Sequence, residues 1–264
     1  MKAWQKRAIF TTSLLSIFTA VSIPAYAAAH ATTIPRAIRQ AETGYFVGFG
    51  GVQQDYPDIG SLPALTVGVT GINAGPQAGF YWRATYTRAS GNTSYSYSSN
   101  GTSTQTTIAN TINEISGRLG GAFGYGRTGL LPATLIPYLG FGVHRWTGDI
   151  TNGVGVTNAR YTGEHVGIGV LEDVTVDRDW VLGAHLFGGY IVNSQTQLTL
   201  PIANINAGQA STTSRTYWEA GLKAVYLINS TWRVTLRVQQ THFSMEPSAP
   251  TKLTLVTLGA GAQF

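Results

Sequence analysis

The chain has 264 residues and a mass of 28.2 kDa, and only 11% of its residues are charged, against roughly 25% in an ordinary soluble domain. A mean hydropathy of +0.03 argues against a disordered chain, which needs low hydrophobicity and high net charge. The 32 glycines argue against a helical bundle, because a glycine inside a helix costs about 1 kcal/mol relative to alanine. The absence of cysteine excludes disulfides, cysteine-ligated zinc and a cysteine nucleophile.

The N-terminus has the pattern of an export signal. Three basic residues among the first seven precede an apolar stretch at 8–23 and the small-residue triplet at 25–27. This pattern predicts a secretory signal peptide at 1–27, with cleavage after residue 31 as the alternative, and a periplasmic lead-in at 28–43. Without those three residues, the mature chain keeps 14 of the 17 basic side chains and has 12 acidic ones. Because its net charge is then near neutral, it is not expected to bind nucleic acid.

Apolar and polar residues alternate along several later segments. The segment 232–239 places Trp232, Val234, Leu236 and Val238 on one parity and Arg233, Thr235, Arg237 and Gln239 on the other. Segments 218–226 and 256–264 repeat the alternation. A period of two puts the two sets on opposite faces of a strand. In a soluble sandwich the apolar face would be the inner one, whereas in a membrane barrel it meets lipid and the polar face lines the lumen.

The spacing of these segments favours the barrel. Ten strands are predicted, at 44–53, 65–72, 78–88, 113–125, 136–147, 161–173, 180–193, 215–227, 232–243 and 253–264. Short turns at 73–76, 127–129, 177–179 and 229–231 alternate with longer polar connections, the longest being an uncharged loop from 89 to about 112. Short turns on the periplasmic side and long loops outside are typical of outer-membrane barrels. An eight-stranded barrel is the alternative.

Several features together carry a resemblance to a known family. They are the signal peptide, the opening strand Gly-Tyr-Phe-Val-Gly-Phe-Gly-Gly at 44–51, the repeated Gly-x-Gly of the downward strands and the terminal strand that ends in Phe264. In this combination the chain resembles the small outer-membrane β-barrels of Gram-negative bacteria, the opacity or OmpA-like surface antigens. The resemblance covers residues 44–264. It implies an all-β, transmembrane, antiparallel up-and-down barrel in the outer membrane. It also implies that the barrel-assembly machinery reads Phe264, although Ala262 stands where the family often has an aromatic residue.

The barrel interpretation assigns faces to the aromatic and charged residues. Aromatic rings favour the two membrane interfaces, and the candidates here are Trp146, Trp180, Trp218, Tyr226 and Trp232. With the apolar faces outward, the polar network predicted for the lumen consists of Arg83, Glu114, Arg118, His144, His185, Glu219, Lys223, Arg233 and Arg237. Since isolated ions are costly in a low-dielectric interior, Glu219 and Lys223 are expected to face Arg233 and Arg237 on the next strand.

Two enzyme hypotheses have candidate residues. His242 and Ser244 share one strand face and are similar to the His-x-Ser placement of outer-membrane lipid A deacylases, with Glu246 as a poor candidate for the orienting acid. An omptin-like rim protease would need a pair of aspartates that faces an Asp-His pair. The spacing of Asp55, Asp58, Glu164 and His165 does not reproduce that arrangement. No catalytic residue is therefore assigned.

The sequence thus predicts a non-enzymatic surface protein with a structural, adhesive or envelope-integrity role and a largely plugged polar lumen. A narrow, porin-like solute or anion pore and a lipid A deacylase remain as alternatives. We expect a monomer without cofactor or metal, whose partners are outer-membrane lipid, lipopolysaccharide and the barrel-assembly machinery.

Overall fold

The fold consists of one long antiparallel sheet and a short N-terminal helix. The computed structural model describes residues 32–54, 60–75, 78–99, 102–126, 131–152, 155–200, 205–211, 215–243 and 252–264, so the predicted signal peptide at 1–27 lies outside the described residues. The elements in chain order are α1 (Arg36–Ala41), β1 (Gly44–Gln54), β2 (Ser61–Ala74), β3 (Ala78–Ser99), β4 (Thr102–Tyr125), β5 (Ala133–Asn152), β6 (Gly155–Thr175), β7 (Trp180–Leu200), β8 (Ile205–Ser211), β9 (Arg215–Leu227), β10 (Trp232–Phe243) and β11 (Lys252–Ala262).

The sheet closes into a ten-stranded barrel. Each long strand pairs antiparallel with its chain neighbour, and β1 pairs with β11 from Tyr45↔Ala262 to Gln54↔Leu253. The short strand β8 stands apart from this ring, because it pairs only with the outer part of β7 and leaves β7 to pair with β9 below. The predicted barrel of ten strands is confirmed, and the eight-stranded alternative is wrong.

The strands differ greatly in length. The bounds of β9 and β10 coincide with the predicted ones, but β3 to β7 run for 20 to 24 residues each. The uncharged segment predicted as a loop from 89 to about 112 is therefore mostly strand, paired as far as Ser99↔Thr102. Its serines, threonines and asparagines are residues that usually indicate turns, but here the pairing of neighbouring strands outweighs that preference.

The alternation of the sequence becomes an inner and an outer face. Apolar side chains point outward and are exposed on every wall of the barrel, as shown by Phe49 (65%), Leu222 (63%) and Ile168 (69%). Side chains of the other parity are buried in the lumen. Among the described residues, no helix is both long enough and apolar enough to cross a bilayer.

The short turns gather at the end of the barrel that also holds both described chain ends. Asp177 Oδ1 accepts hydrogen bonds of 2.8 Å from the N–H groups of Asp179 and Trp180, and Asn229 Oδ1 accepts equivalent bonds from Thr231 and Trp232. These local bonds are the reason why aspartate and asparagine favour turns. The predicted turn at 127–129 lies outside the described residues.

The N-terminal helix lies across the mouth of the barrel at this end. It contacts β6, β7 and β9 on one wall and β2 on the opposite wall. Ile38 is completely buried and clusters with the inward-facing Val181, Val225 and Leu227. The predicted lead-in at 28–43 thus contains a helix that packs into the barrel.

Single cysteines test the orientation of the barrel, because the chain contains none of its own. Asn158→Cys changes an exposed position near the far end of β6, and Ser230→Cys changes an exposed position in a short turn. Since short turns lie on the periplasmic side, a membrane-impermeant maleimide should label Asn158→Cys on intact cells and Ser230→Cys only after lysis. Labelling in the opposite pattern would invert the barrel.

Candidate functional site

The lower lumen, which is the half next to the short turns, contains an ion cluster around Lys223. Its ammonium group on β9 lies 2.8 Å from Asp173 Oδ1 on β6 and donates a hydrogen bond to Glu42 Oε1, which follows α1. All three side chains are buried. One lysine therefore joins two strands of the wall to the N-terminal segment.

A glycine makes this cluster possible. Gly183 lies between Asp173 and Lys223 in register, paired with Asp173 on one side and with Lys223 on the other. A Cβ at Gly183 would overlap both Asp173 Oδ1 and Lys223 Cε. The absence of a side chain on β7 therefore lets Lys223 reach across this strand to its partner.

The N-terminal segment is held by charge as well as by apolar packing. Burial raises the pKa of the Glu42 carboxyl, but Lys223 together with Arg83 and Arg233 outweighs burial and holds this pKa below its ordinary value. The Arg233 guanidinium donates hydrogen bonds to the backbone carbonyls of Gln40 (2.9 Å) and Thr43 (2.5 Å). It thereby binds the C-terminal end of α1, where carbonyl groups lack helical partners.

A second cluster lies higher in the lumen, around Glu219. Its carboxylate accepts a hydrogen bond of 2.5 Å from Arg118 and one of 3.1 Å from the Tyr217 hydroxyl, and it lies 2.7 Å from His185 Nε2. Arg118 comes from β4 and Glu219 from β9, so this ion pair crosses the lumen. The Arg118 guanidinium also lies 4.9 Å from the centre of the Tyr138 ring.

The ion pairs differ from the expected ones. Glu219 and Lys223 were expected to pair with Arg233 and Arg237 on β10, but they bind Arg118, Asp173 and Glu42 instead. The register explains the correction, because Lys223 stands directly opposite Arg237, and like charges in that position repel. Long side chains avoid this repulsion by reaching across the lumen.

Two charged partners in these clusters are missing from the predicted network. Glu42 lies in the lead-in, where no strand alternation could assign it a face. Asp173 is the last residue of a predicted strand, and its parity with the inward-facing Leu171 was a signal that could have identified it.

Arg83 and Arg237 form a third group with Phe46. Their guanidinium carbons lie 4.9 and 5.4 Å from the centre of the Phe46 ring. The two arginines come from β3 and β10, which are separated by three strands of the wall. Neither has a carboxylate within 4.0 Å among the described residues.

The upper lumen combines aromatic and apolar side chains with buried polar ones. His165 stacks on Tyr217 with ring centres 4.3 Å apart, and Tyr217 meets Phe243 edge to face at 5.2 Å. His144 lies 4.7 Å from the Phe243 ring, and its Nδ1 is 3.6 Å from Glu114. Buried Ile112, Trp146, Tyr161, Ile191 and Leu253 continue this core towards the outer end. The upper half of the predicted polar lumen thus carries large apolar and aromatic residues beside buried polar ones such as His144, His165 and Asn110.

The candidate interface aromatics divide into two groups. Trp180 and Tyr226 face outward near the short-turn end with ring centres 5.0 Å apart, and Trp232 is exposed beside them. Trp218 also faces outward, stacked on His242. Trp146 does not, because it shares the inward parity of His144. It is buried and donates a 3.0 Å hydrogen bond to Asn110 Oδ1.

The terminal Phe264 faces outward just beyond β11. Its ring meets Tyr45 edge to face at 5.2 Å and stacks on Trp82 at 6.5 Å. The ring thus packs on the first strands of the barrel, next to the β1–β11 pair that closes the sheet. Its role as an assembly signal stays a prediction.

Only some of the candidate catalytic residues lie within the described residues. Ser244, Glu246, Asp55 and Asp58 lie outside the described residues. His242 is on the lipid-facing side of β10, whereas the neighbours Glu164 and His165 point to opposite faces of β6. The described residues contain no group of three or more histidines or carboxylates placed to hold a metal ion.

The outward apolar surface decides the environment of the barrel. Soluble monomers rarely expose contiguous apolar patches larger than a few hundred Å², whereas here every wall exposes large apolar side chains, with Trp180, Trp232 and Tyr226 at the short-turn end. Closed barrels of this kind satisfy all strand hydrogen bonds within lipid. The protein is a transmembrane β-barrel of the outer-membrane type.

Comparison with known proteins adds fold likeness only. No protein-family model and no curated protein matches the chain. The attachment invasion locus protein Ail of Yersinia pestis aligns with 9% identity and a TM-score of 0.37 over 84% of this chain and 98% of its own. The transport unit of the Escherichia coli autotransporter AIDA-I aligns with 11% identity and a TM-score of 0.46 over 86% of this chain and 91% of its own. A major outer membrane protein of Thermus thermophilus aligns with 12% identity and a TM-score of 0.38 over 83% of this chain and 99% of its own. These values are too low to transfer a ligand or an activity.

Lys223→Met tests the lower ion cluster. The substitution removes the ammonium group that contacts the buried carboxylates of Glu42 and Asp173, and breaking a buried ion pair costs about 3–5 kcal/mol. The free energy of unfolding, measured by urea titration of the barrel in lipid vesicles, should fall by about that amount. Lys252→Met changes a lysine at the other end of the barrel and should have little effect. Equal stability of both variants would contradict the structural role of the cluster.

Proposed function

We propose that the protein is a non-enzymatic surface protein whose lumen is closed and whose long hairpins form an adhesive surface outside the membrane. The observation that carries this proposal is the unequal length of the strands. The five consecutive strands β3 to β7 exceed the length needed to cross the bilayer, and the other five barrel strands have 11 to 14 residues.

The excess length supports a surface outside the membrane. A tilted strand crosses the bilayer with roughly 9–11 residues, so the 24 residues of β4 include about a dozen beyond the membrane. The lower halves of β3 to β7 adjoin the short turns, which places the excess at the outer end. Together these strands extend one side of the barrel into a sheet, which β8 widens at its β7 edge.

The composition of the longest hairpin supports adhesion. Residues 90–111 of β3 and β4 contain serine, threonine, asparagine, glycine and tyrosine and no charged residue. Antibody combining sites use the same types, because tyrosine supplies rigid contact area and the small polar residues supply adaptable hydrogen bonds. A neutral, hydroxyl-rich hairpin fits partners that offer hydrogen bonds and apolar faces rather than charge.

The lumen supports a closed barrel more than the alternative of a narrow solute or anion pore. The helix α1 lies across the lower mouth, the Arg118–Glu219 pair crosses the middle, and an aromatic core fills the upper part. Small barrels are generally filled by their own side chains.

The candidate base of the deacylase alternative, His242, lies on the outer face of the barrel. Its outward position, stacked on Trp218, fits a lipid-facing side chain.

Shortening the β3–β4 hairpin tests the adhesive surface. Replacing residues 90–111 with an Asn-Gly turn keeps the Ala89↔Ile112 pair at the base and removes the neutral extension. Cells that make the native protein should bind an array of immobilised neutral oligosaccharides and proteins, and cells with the shortened form should bind several-fold less. Replacing residues 149–158 with the same turn shortens the neighbouring β5–β6 hairpin and should preserve binding.

A shift between heated and unheated samples on gels must show that each shortened barrel folds. Equal binding by the native and shortened proteins, or no binding by either, would contradict the adhesive role.

Lipid A analysis tests the enzyme alternative. A deacylase would need Ser244 as nucleophile and His242 as base, so cells with the native protein would contain lipid A that lacks one acyl chain. We expect identical lipid A mass spectra from cells that make the native protein, His242→Ala, Ser244→Ala or no protein. A loss of one acyl group that depends on Ser244 would establish the enzyme instead.

A further inference from the structure

A small cavity lies in the lower lumen, directly above the N-terminal segment. Its volume is about 30 Å³, and its walls come from the adjacent strands β1 to β3 and β9 to β11 and from the C-terminal end of α1. Ala41 and Glu42 close it from below, and Phe46 forms part of its side. A cavity of this size exceeds the roughly 10–15 Å³ that one water molecule requires.

The walls of this cavity carry an excess of positive charge. Four cations line it, Arg83, Lys223, Arg233 and Arg237, with Glu42 as the single carboxylate among the described residues of the wall. Lys223 is neutralised by Glu42 and Asp173, and Arg233 is bound by backbone carbonyls. The charges of Arg83 and Arg237 remain without a carboxylate within 4.0 Å in the described part of the chain.

The Arg83 guanidinium has a donor that no group of the described residues accepts. Arg83 is only 7% exposed, and its Nη2 is buried without a hydrogen-bond partner within the described residues. The Phe46 ring attracts both guanidinium groups, but a neutral ring cannot cancel their charge. The side chains of Thr235 and Thr257 line the same cavity and offer hydroxyl donors.

We propose that this cavity binds one small inorganic anion of the size of chloride, held between Arg83 and Arg237. A water molecule could accept the free hydrogen bond of Arg83, but it would leave two unpaired cations in a low-dielectric interior, where isolated charges are strongly unfavourable. An anion satisfies the donor and neutralises the charge together. The small volume of the cavity excludes larger organic anions, and the ion is a resident structural ligand.

Stability in different salts tests the site in the full-length folded barrel. At constant ionic strength, exchange of sodium gluconate for sodium chloride should raise the unfolding temperature of the native protein and reach a plateau, because the ligand binds only the folded state. Gluconate is too large for the cavity and serves as the reference anion. Arg237→Gln should lose at least half of this chloride-dependent rise.

The same variant separates an anion site from a purely structural arginine. Since Arg237→Gln removes one unpaired buried charge, it should be at least as stable as the native protein in gluconate. If Arg237 had only a structural role, its replacement would instead destabilise the barrel equally in both salts. Arg178→Gln, in an exposed short turn, removes the same charge outside the cavity and should keep the full response to chloride.

Crystals of the native protein in sodium bromide locate the ion directly. An anomalous peak between Arg83 and Arg237, together with the saturable stabilisation, supports the site. A cavity without bromide overturns the proposal, even where chloride raises the unfolding temperature, because that rise would then come from the surface. Equal unfolding temperatures of the native protein in chloride and gluconate overturn it as well, and a bromide peak would then reflect an adventitious ion only.

Discussion

The closure of the sheet by β1 and β11 is the constraint on which the rest of the structure depends. Within lipid no water can satisfy the N–H and C=O groups of a strand edge, so every strand must have two neighbours. The ten pairs of residues from Tyr45↔Ala262 to Gln54↔Leu253 remove the last free edges of the membrane-spanning part. Closure then forces every second side chain into a narrow lumen, where charges must find partners.

The lumen meets this demand with contacts that span the barrel. Arg118 reaches Glu219 from the opposite wall, and Lys223 passes over Gly183 to reach Asp173. The N-terminal segment supplies Glu42 to the same cluster, so the ions that stabilise the wall also hold α1 in the mouth. Arg83 and Arg237 have no carboxylate within 4.0 Å among the described residues, and their positive charge lies beside the cavity proposed to hold an anion.

Much of the barrel could be predicted from the alternation of apolar and polar residues. The bounds of β9 and β10 agree with the predicted ones, because in the middle of each strand outward apolar residues, such as Leu222 and Leu236, alternate with charged or small residues. The extensions of β3 and β4 carried no such alternation, and their serines and threonines favour turns when read alone. Trp146 was misplaced for a related reason, since an aromatic residue suits both a membrane interface and a buried core.

The sequence by itself determined the fold class, the ten strands and the parity of most lumen residues, because strand periodicity is a local property that each segment expresses without its neighbours. Only the tertiary structure decided which charges meet. Glu42 and Lys223 are 181 positions apart and belong to a helix terminus and a strand. Arg83 and Arg237 come together only because the closed sheet places β3 and β10 around one lumen, and the distance across that lumen depends on the number and tilt of all the strands.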